Sequence, residues 1–163
     1  MRQSLKSSRV RTLEERFMME ALKEAQKALE KNEVPVGAVI VHEGKVIARA
    51  HNQNILLKDP TAHAEMIAIT EATSALQSER LLNTELYVTI EPCAMCAGAL
   101  VLARVKRIVF GADDPKAGAC GSVVNIAHHQ KLNHRIQMTS GVLEKECRSL
   151  IQEFFRHRRQ KEN

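Results

Sequence analysis

Two short strings in this chain could do chemistry together. His63-Ala64-Glu65 and Pro92-Cys93-Ala94-Met95-Cys96 supply one imidazole, two thiols and a carboxylate. An imidazole and two thiolates make three ligands for a zinc ion. Structural zinc sites close with four protein ligands, whereas catalytic ones keep a position open for water. Zinc in such a site lowers the pKa of water from about 15.7 to about 7. Glu65, two residues from a ligand, is then spare to carry the proton. These parts suit hydrolysis, and in particular the hydrolytic removal of an amine from an amidine-like ring carbon.

The two strings differ in weight. By chance, His-x-Glu should occur ~0.7 times in a chain of this composition and Pro-Cys-x-x-Cys only ~0.002 times, so the second carries the argument. Cys-x-x-Cys is also a redox motif, and two buried core thiols are a third reading of it. His63 alone would read as a histidine at a helix start.

The bulk composition allows one domain with a sizeable core, at 163 residues, 44% hydrophobic and 26% charged. We expect residues 1–11 to form a basic, flexible tail and residues 12–163 a single domain. With four Phe, one Tyr and no Trp, the core must be aliphatic. The net charge of +5 favours polyanionic partners without demanding them. Cys120 and Cys147 read as reduced thiols of a cytoplasmic protein. No apolar run is long enough to suggest a membrane span, and the tail lacks the apolar stretch of a signal peptide.

The elements that must position the ligands follow from periodicity and punctuation. Thr12 and Glu15 predict a capping box that opens a helix reaching about Asn32. Its apolar stripe is Leu13, Phe17, Ala21, Leu22, Ala25, Ala28 and Leu29. Val36–Val41 is a buried strand, turned by His42-Glu43-Gly44-Lys45 into a second strand to about Ala50. Residues 52–58 read as loop. Asp59-Pro60-Thr61 predicts a helix start with His63 and Glu65 in the first turn.

Leu86–Ile90 is a strand stopped by Glu91-Pro92. A helix from about Cys93 to Ala103 places Cys93 and Cys96 on one face, at the end that favours thiolates. Val105–Gly111 and Arg135–Thr139 are further strands, and residues 123–129 suggest a short helix. A last helix carries Leu143, Cys147, Leu150, Ile151, Phe154 and Phe155 on one side, with Phe154 and Phe155 assigned to the core. The alternation predicts an α/β protein, a three-layer sandwich around one mixed, five-stranded sheet.

The chain resembles the bacterial-type tRNA-specific adenosine deaminases of the cytidine deaminase superfamily, and the likeness extends well beyond the metal motif. It includes Glu33-Val34-Pro35-Val36-Gly37-Ala38, Asp59-Pro60-Thr61-Ala62-His63-Ala64-Glu65 and Leu86 through Ala99. It continues through Gly111-Ala112, Asp114, Lys116, Gly118-Ala119 and Gly121-Ser122 to Phe154-Phe155-Arg156-His157-Arg158-Arg159. The resemblance implies a cytidine deaminase-like fold and one zinc per subunit at His63, Cys93 and Cys96, with Glu65 as proton shuttle. It implies that Asn52 helps hold a flipped nucleoside and that Asp114 lies near a flanking ribose. It further implies a homodimer that makes inosine at the wobble position of a tRNA anticodon stem-loop. His51 departs from some relatives that carry Trp there, which leaves the zinc chemistry alone and bears only on stacking at that position. Arg158 and Arg159, within the basic C-terminus, are candidates for RNA backbone contact.

Two other functions compete. A deaminase of a free base, nucleoside or nucleotide such as guanine or cytosine would need nearly the same site. A non-catalytic zinc-stabilised RNA-binding protein would have no reason to keep an acid at position 65.

Overall fold

The computed structural model describes residues 9–163. Of the basic tail expected over residues 1–11, residues 1–8 therefore lie outside the described residues. Helix α1 (Leu13–Glu30) opens where predicted, with the Thr12 hydroxyl accepting from Glu15 N at 3.1 Å. Its buried face is Met18, Ala21, Leu22, Ala25 and Ala28, whereas Leu13 is exposed. Strands β1 (Gly37–His42) and β2 (Lys45–His51) form an antiparallel hairpin. Its two-residue turn places Glu43 and Gly44 at φ 50° and 74°, the conformation that suits the twist of paired strands.

The chain continues through α2 (Asn54–Leu57), α3 (Ala64–Leu76), β3 (Thr84–Ile90), α4 (Ala94–Leu102), β4 (Arg107–Ala112), β5 (Gln137–Thr139) and α5 (Glu144–Glu162). The five strands form one sheet in the order β2-β1-β3-β4-β5. β1 pairs antiparallel with β2 and β3, while β3–β4 and β4–β5 are parallel. The sheet is mixed, as expected, and helices cover both faces. Along β1, Val39 and Val41 pack with Met18, Ala21 and Leu22 of α1. Ala38 and Ile40 pack on the other side with Ala64, Ala68 and Ala72 of α3 and Leu100 of α4. That alternation is the period of two that a strand imposes.

Close packing holds the layers in register. At Gly37 an added Cβ would lie 2.0 Å from the Ala21 carbonyl oxygen and 2.4 Å from Ala25 N. Only glycine lets α1 sit this near the start of β1. On the opposite face, Ala64, Ala68 and Ala72 form a stripe of small side chains at four-residue spacing. That stripe brings α3 down onto the hairpin.

Three local expectations change. Residues 54–57 form a one-turn helix within the segment read as loop, because the buried Glu33 carboxylate accepts from Ile55 N at 3.1 Å and Leu56 N at 2.8 Å. Helix α3 begins at Ala64, later than Pro60 suggested. Asp59 accepts from Thr61 N at 2.8 Å, which makes a turn ahead of the helix. Residues 123–129 are not helical, because their backbone bonds turn back onto the preceding loop, from Val123 N to Gly118 O at 2.9 Å and Ile126 N to Ala119 O at 2.9 Å.

Candidate active site

The two chemistry-bearing strings meet at the N-termini of α3 and α4. His63 is the N-cap residue of α3 and Cys93 that of α4, while Cys96 lies in the first turn of α4. His63 Nδ1 stands 3.6 Å from Cys93 Sγ and 3.5 Å from Cys96 Sγ. A tetrahedral zinc with ordinary Zn–N and Zn–S lengths has N···S edges of about 3.6 Å. Both N···S separations therefore already match the edges of a zinc tetrahedron, and all three donor atoms lie within 4.8 Å of one another. Among the described residues they are the one His/Cys/Asp/Glu group found close enough together to hold a metal ion.

Protonation makes the same point. The neighbouring Cys96 thiol and then His63 hold Cys93 down at about 3. Cys96 is pushed up, chiefly by its hydrogen bond with Cys93 and then by burial. His63 is raised by its hydrogen bond with Cys93, against the opposing effect of burial. Protons thus hold one negative sulfur among its neighbours, and a cation can replace them. The positive ends of both helix dipoles add to the stabilisation of thiolate.

Glu65 is 3% exposed. Burial pushes its carboxyl above the ordinary carboxylate range, against a hydrogen bond with Cys96 that pulls it down. A carboxyl raised towards neutrality is suited to taking and returning a proton.

His63, Glu65 and Cys93 line a cavity of about 670 Å³, a size ordinary for a small-molecule site. Asn52 and Asp114 line it too. Asn52 Oδ1 accepts from Ala64 N at 2.8 Å, which fixes the side chain beside His63. Oδ1 is the atom so engaged, which leaves the Nδ2 end of the side chain for a ligand. Asp114 Oδ1 accepts from Lys116 N at 3.0 Å and Ala117 N at 3.2 Å, so one oxygen shapes the loop. Arg158 lines the cavity and lies 5.7 Å from the centre of the Phe154 ring. Arg159 is exposed on α5 and is not among the lining residues.

Two participants escape the sequence reading. Phe155, assigned there to the core, is 43% exposed and lines the cavity, because its neighbour Phe154 takes the inward position on α5. The buried acid Glu91 anchors the loop that follows β4. Its place directly before Pro92 was the available signal.

The His/Cys/Cys group at two helix starts, the adjacent buried acid and the mixed sandwich beneath them define a deaminase of the cytidine deaminase-like fold. The sequence profile described as MafB19-like deaminase matches residues 13–159. A tRNA-specific adenosine deaminase of Bacillus subtilis (strain 168) is 52% identical over 92% of this chain and 93% of its own length. One of that description from Aquifex aeolicus (strain VF5) is 52% identical over 87% of this chain and 93% of its own. A solved structure from a study of A-to-I editing by tRNA:A34 deaminases superposes with a TM-score of 0.80. It shares 47% identity and covers 83% of this chain and 98% of that one. The chain belongs to the MafB19-like deaminase family, among its tRNA-specific adenosine deaminases.

Proposed function

We infer that this chain is a hydrolase that converts adenosine to inosine at position 34, the wobble position, of a tRNA anticodon loop. The observation that carries this reading is the His63–Cys93–Cys96 cluster with Glu65 beside it, in a chain 52% identical to a tRNA-specific adenosine deaminase. The basic α5 and a cavity rimmed by Lys116 and Arg158 favour an RNA substrate over a free base such as guanine or cytosine. We read residues 12–163 as one catalytic unit.

His63, Cys93 and Cys96 would hold one zinc per subunit, which supplies Lewis acidity and makes hydroxide available at neutral pH. Glu65 takes a proton from the attacking water and delivers it to the departing amine, which leaves as ammonia. Asn52 Nδ2 donates to the base, while its Oδ1 stays on Ala64 N. Asp114 approaches the sugar beside the target. Extruding a base from a single-stranded loop costs less than the few kcal/mol needed in duplex. Arg158 and Arg159 offset phosphate charge along the strand.

A homodimer fits the α4 surface, where Leu102 is 78% exposed at the end of a wholly apolar helix. Four free cysteines suit a cytoplasmic site. Among the described residues, no helix is long and apolar enough to cross a membrane.

The deciding experiment incubates the zinc-loaded protein with an adenosine-containing anticodon stem-loop and, separately, with free bases and nucleosides. Inosine at the wobble nucleotide is the expected product. Ammonia released from the free compounds alone would defeat this reading.

A further inference from the structure

Glu91 is 2% exposed, and four donors from the loop after β4 converge on its carboxylate. Oε1 accepts from Asp114 N at 3.2 Å and from the Ser122 hydroxyl, and Oε2 accepts from Cys120 N at 3.0 Å and Ser122 N at 3.2 Å. The loop also closes directly on the metal-binding segment. Ala119 N donates to Pro92 O at 2.8 Å, and Gly118 pairs with Cys93. At Gly118 an added Cβ would lie 2.2 Å from Glu91 Oε2, so the backbone wraps the carboxylate with no room for a side chain.

Residues 113–117 of this loop line the cavity. We propose that Glu91 is a positioning residue: it fixes the 113–122 loop as a preformed substrate wall, in register with the ligands that follow Glu91 in the chain. An ionised carboxylate only accepts, and its four lone-pair directions match these four donors. A glutamine in its place would turn at least one amide N–H towards a backbone N–H and could not satisfy the loop. Glu91 therefore acts on substrate affinity through the loop, whereas Glu65 acts on the reacting atoms.

The proposal rests on the adenosine deaminase reading for its kinetic arm only. The test compares the unaltered protein with Glu91→Gln and Ser122→Ala, all zinc-loaded. It measures zinc content, amide hydrogen exchange over residues 113–122, and inosine formation on the anticodon stem-loop. Glu91→Gln is expected to keep its zinc and to exchange the loop amides about ten-fold faster. Its KM should rise about ten-fold while kcat stays within about three-fold. Ser122→Ala, which leaves the acid in place, should move both quantities the same way by about three-fold and decides the matter if Glu91→Gln does not fold. Unchanged exchange, faster exchange with unchanged KM, or a loss confined to kcat and zinc content would each overturn the proposal. If the unaltered protein makes no inosine, the substrate reading fails, while the exchange measurement still tests the clamp.

Discussion

Phe154 and Phe155 meet edge to face, their ring centres 5.3 Å apart and their planes at 79°, yet they belong to different parts of the protein. Phe154 is 6% exposed and faces inward, while Phe155 opens onto the cavity. Phe155→Ala is expected to leave thermal stability nearly unchanged and to weaken stem-loop binding by about 1–3 kcal/mol, the value of one base–aromatic stack. Phe154→Ala should instead cost about 3–5 kcal/mol of folding stability. Equal binding by Phe155→Ala and the unaltered protein would remove the stacking role.

Glu65 carries the proton in the proposed reaction and is not part of the His63–Cys93–Cys96 group that could hold a metal. Glu65→Gln and Glu65→Ala should therefore retain zinc and lose turnover by about 10³-fold or more. Metal analysis alongside single-turnover inosine formation checks both halves. A fully active variant would mean that another group moves the proton.

Salt dependence tests Arg158 and Arg159 of α5 one at a time. On single-stranded RNA, a cation that no longer neutralises its phosphate lowers the slope of log affinity against log salt by ~0.7. Arg158→Ala and Arg159→Ala are each expected to lower it by that amount, measured by titrating the stem-loop at several salt concentrations. An unchanged slope for either variant places that residue outside the interface. Arg158, at the cavity rim, should also raise KM the more of the two.

Cys120 and Cys147 are raised to about 12, in both cases chiefly by burial. Their thiols should resist a thiolate-directed label at pH 8 in the folded protein and react once it is denatured. Because their folded pKa values exceed the ordinary 9.0, only the unfolded chain loses these protons between about pH 9 and 12. Their contribution to stability is intact below that window and declines as pH rises through it. Alkaline denaturation of the unaltered protein and of Cys147→Ala should therefore converge towards pH 12.

Elements whose cause is local were legible in the sequence. The Thr12 cap, the Glu43-Gly44 turn and the three-residue spacing of Cys93 and Cys96 each depend on neighbouring residues, and each appears where expected. Long-range causes were not legible. The one turn of α2 exists because Glu33, which precedes the whole hairpin in the chain, accepts its amides. Residues 123–129 have an apolar pattern that suggests a helix, but their amides are claimed by Gly118 and Ala119. The split between Phe154 and Phe155 depends on the roll of α5 over the sheet, which neighbouring aromatic residues cannot reveal.

Two helices begin at the same point in this fold, and neither His63 nor Cys93 gives its own helix the side-chain cap that Ser, Asp or Asn would provide. An ion held by both residues, as proposed above, would tie those two starts together. On that reading, metal supply would govern more than catalytic competence: it would also set how firmly the floor of the pocket stays folded between one RNA and the next.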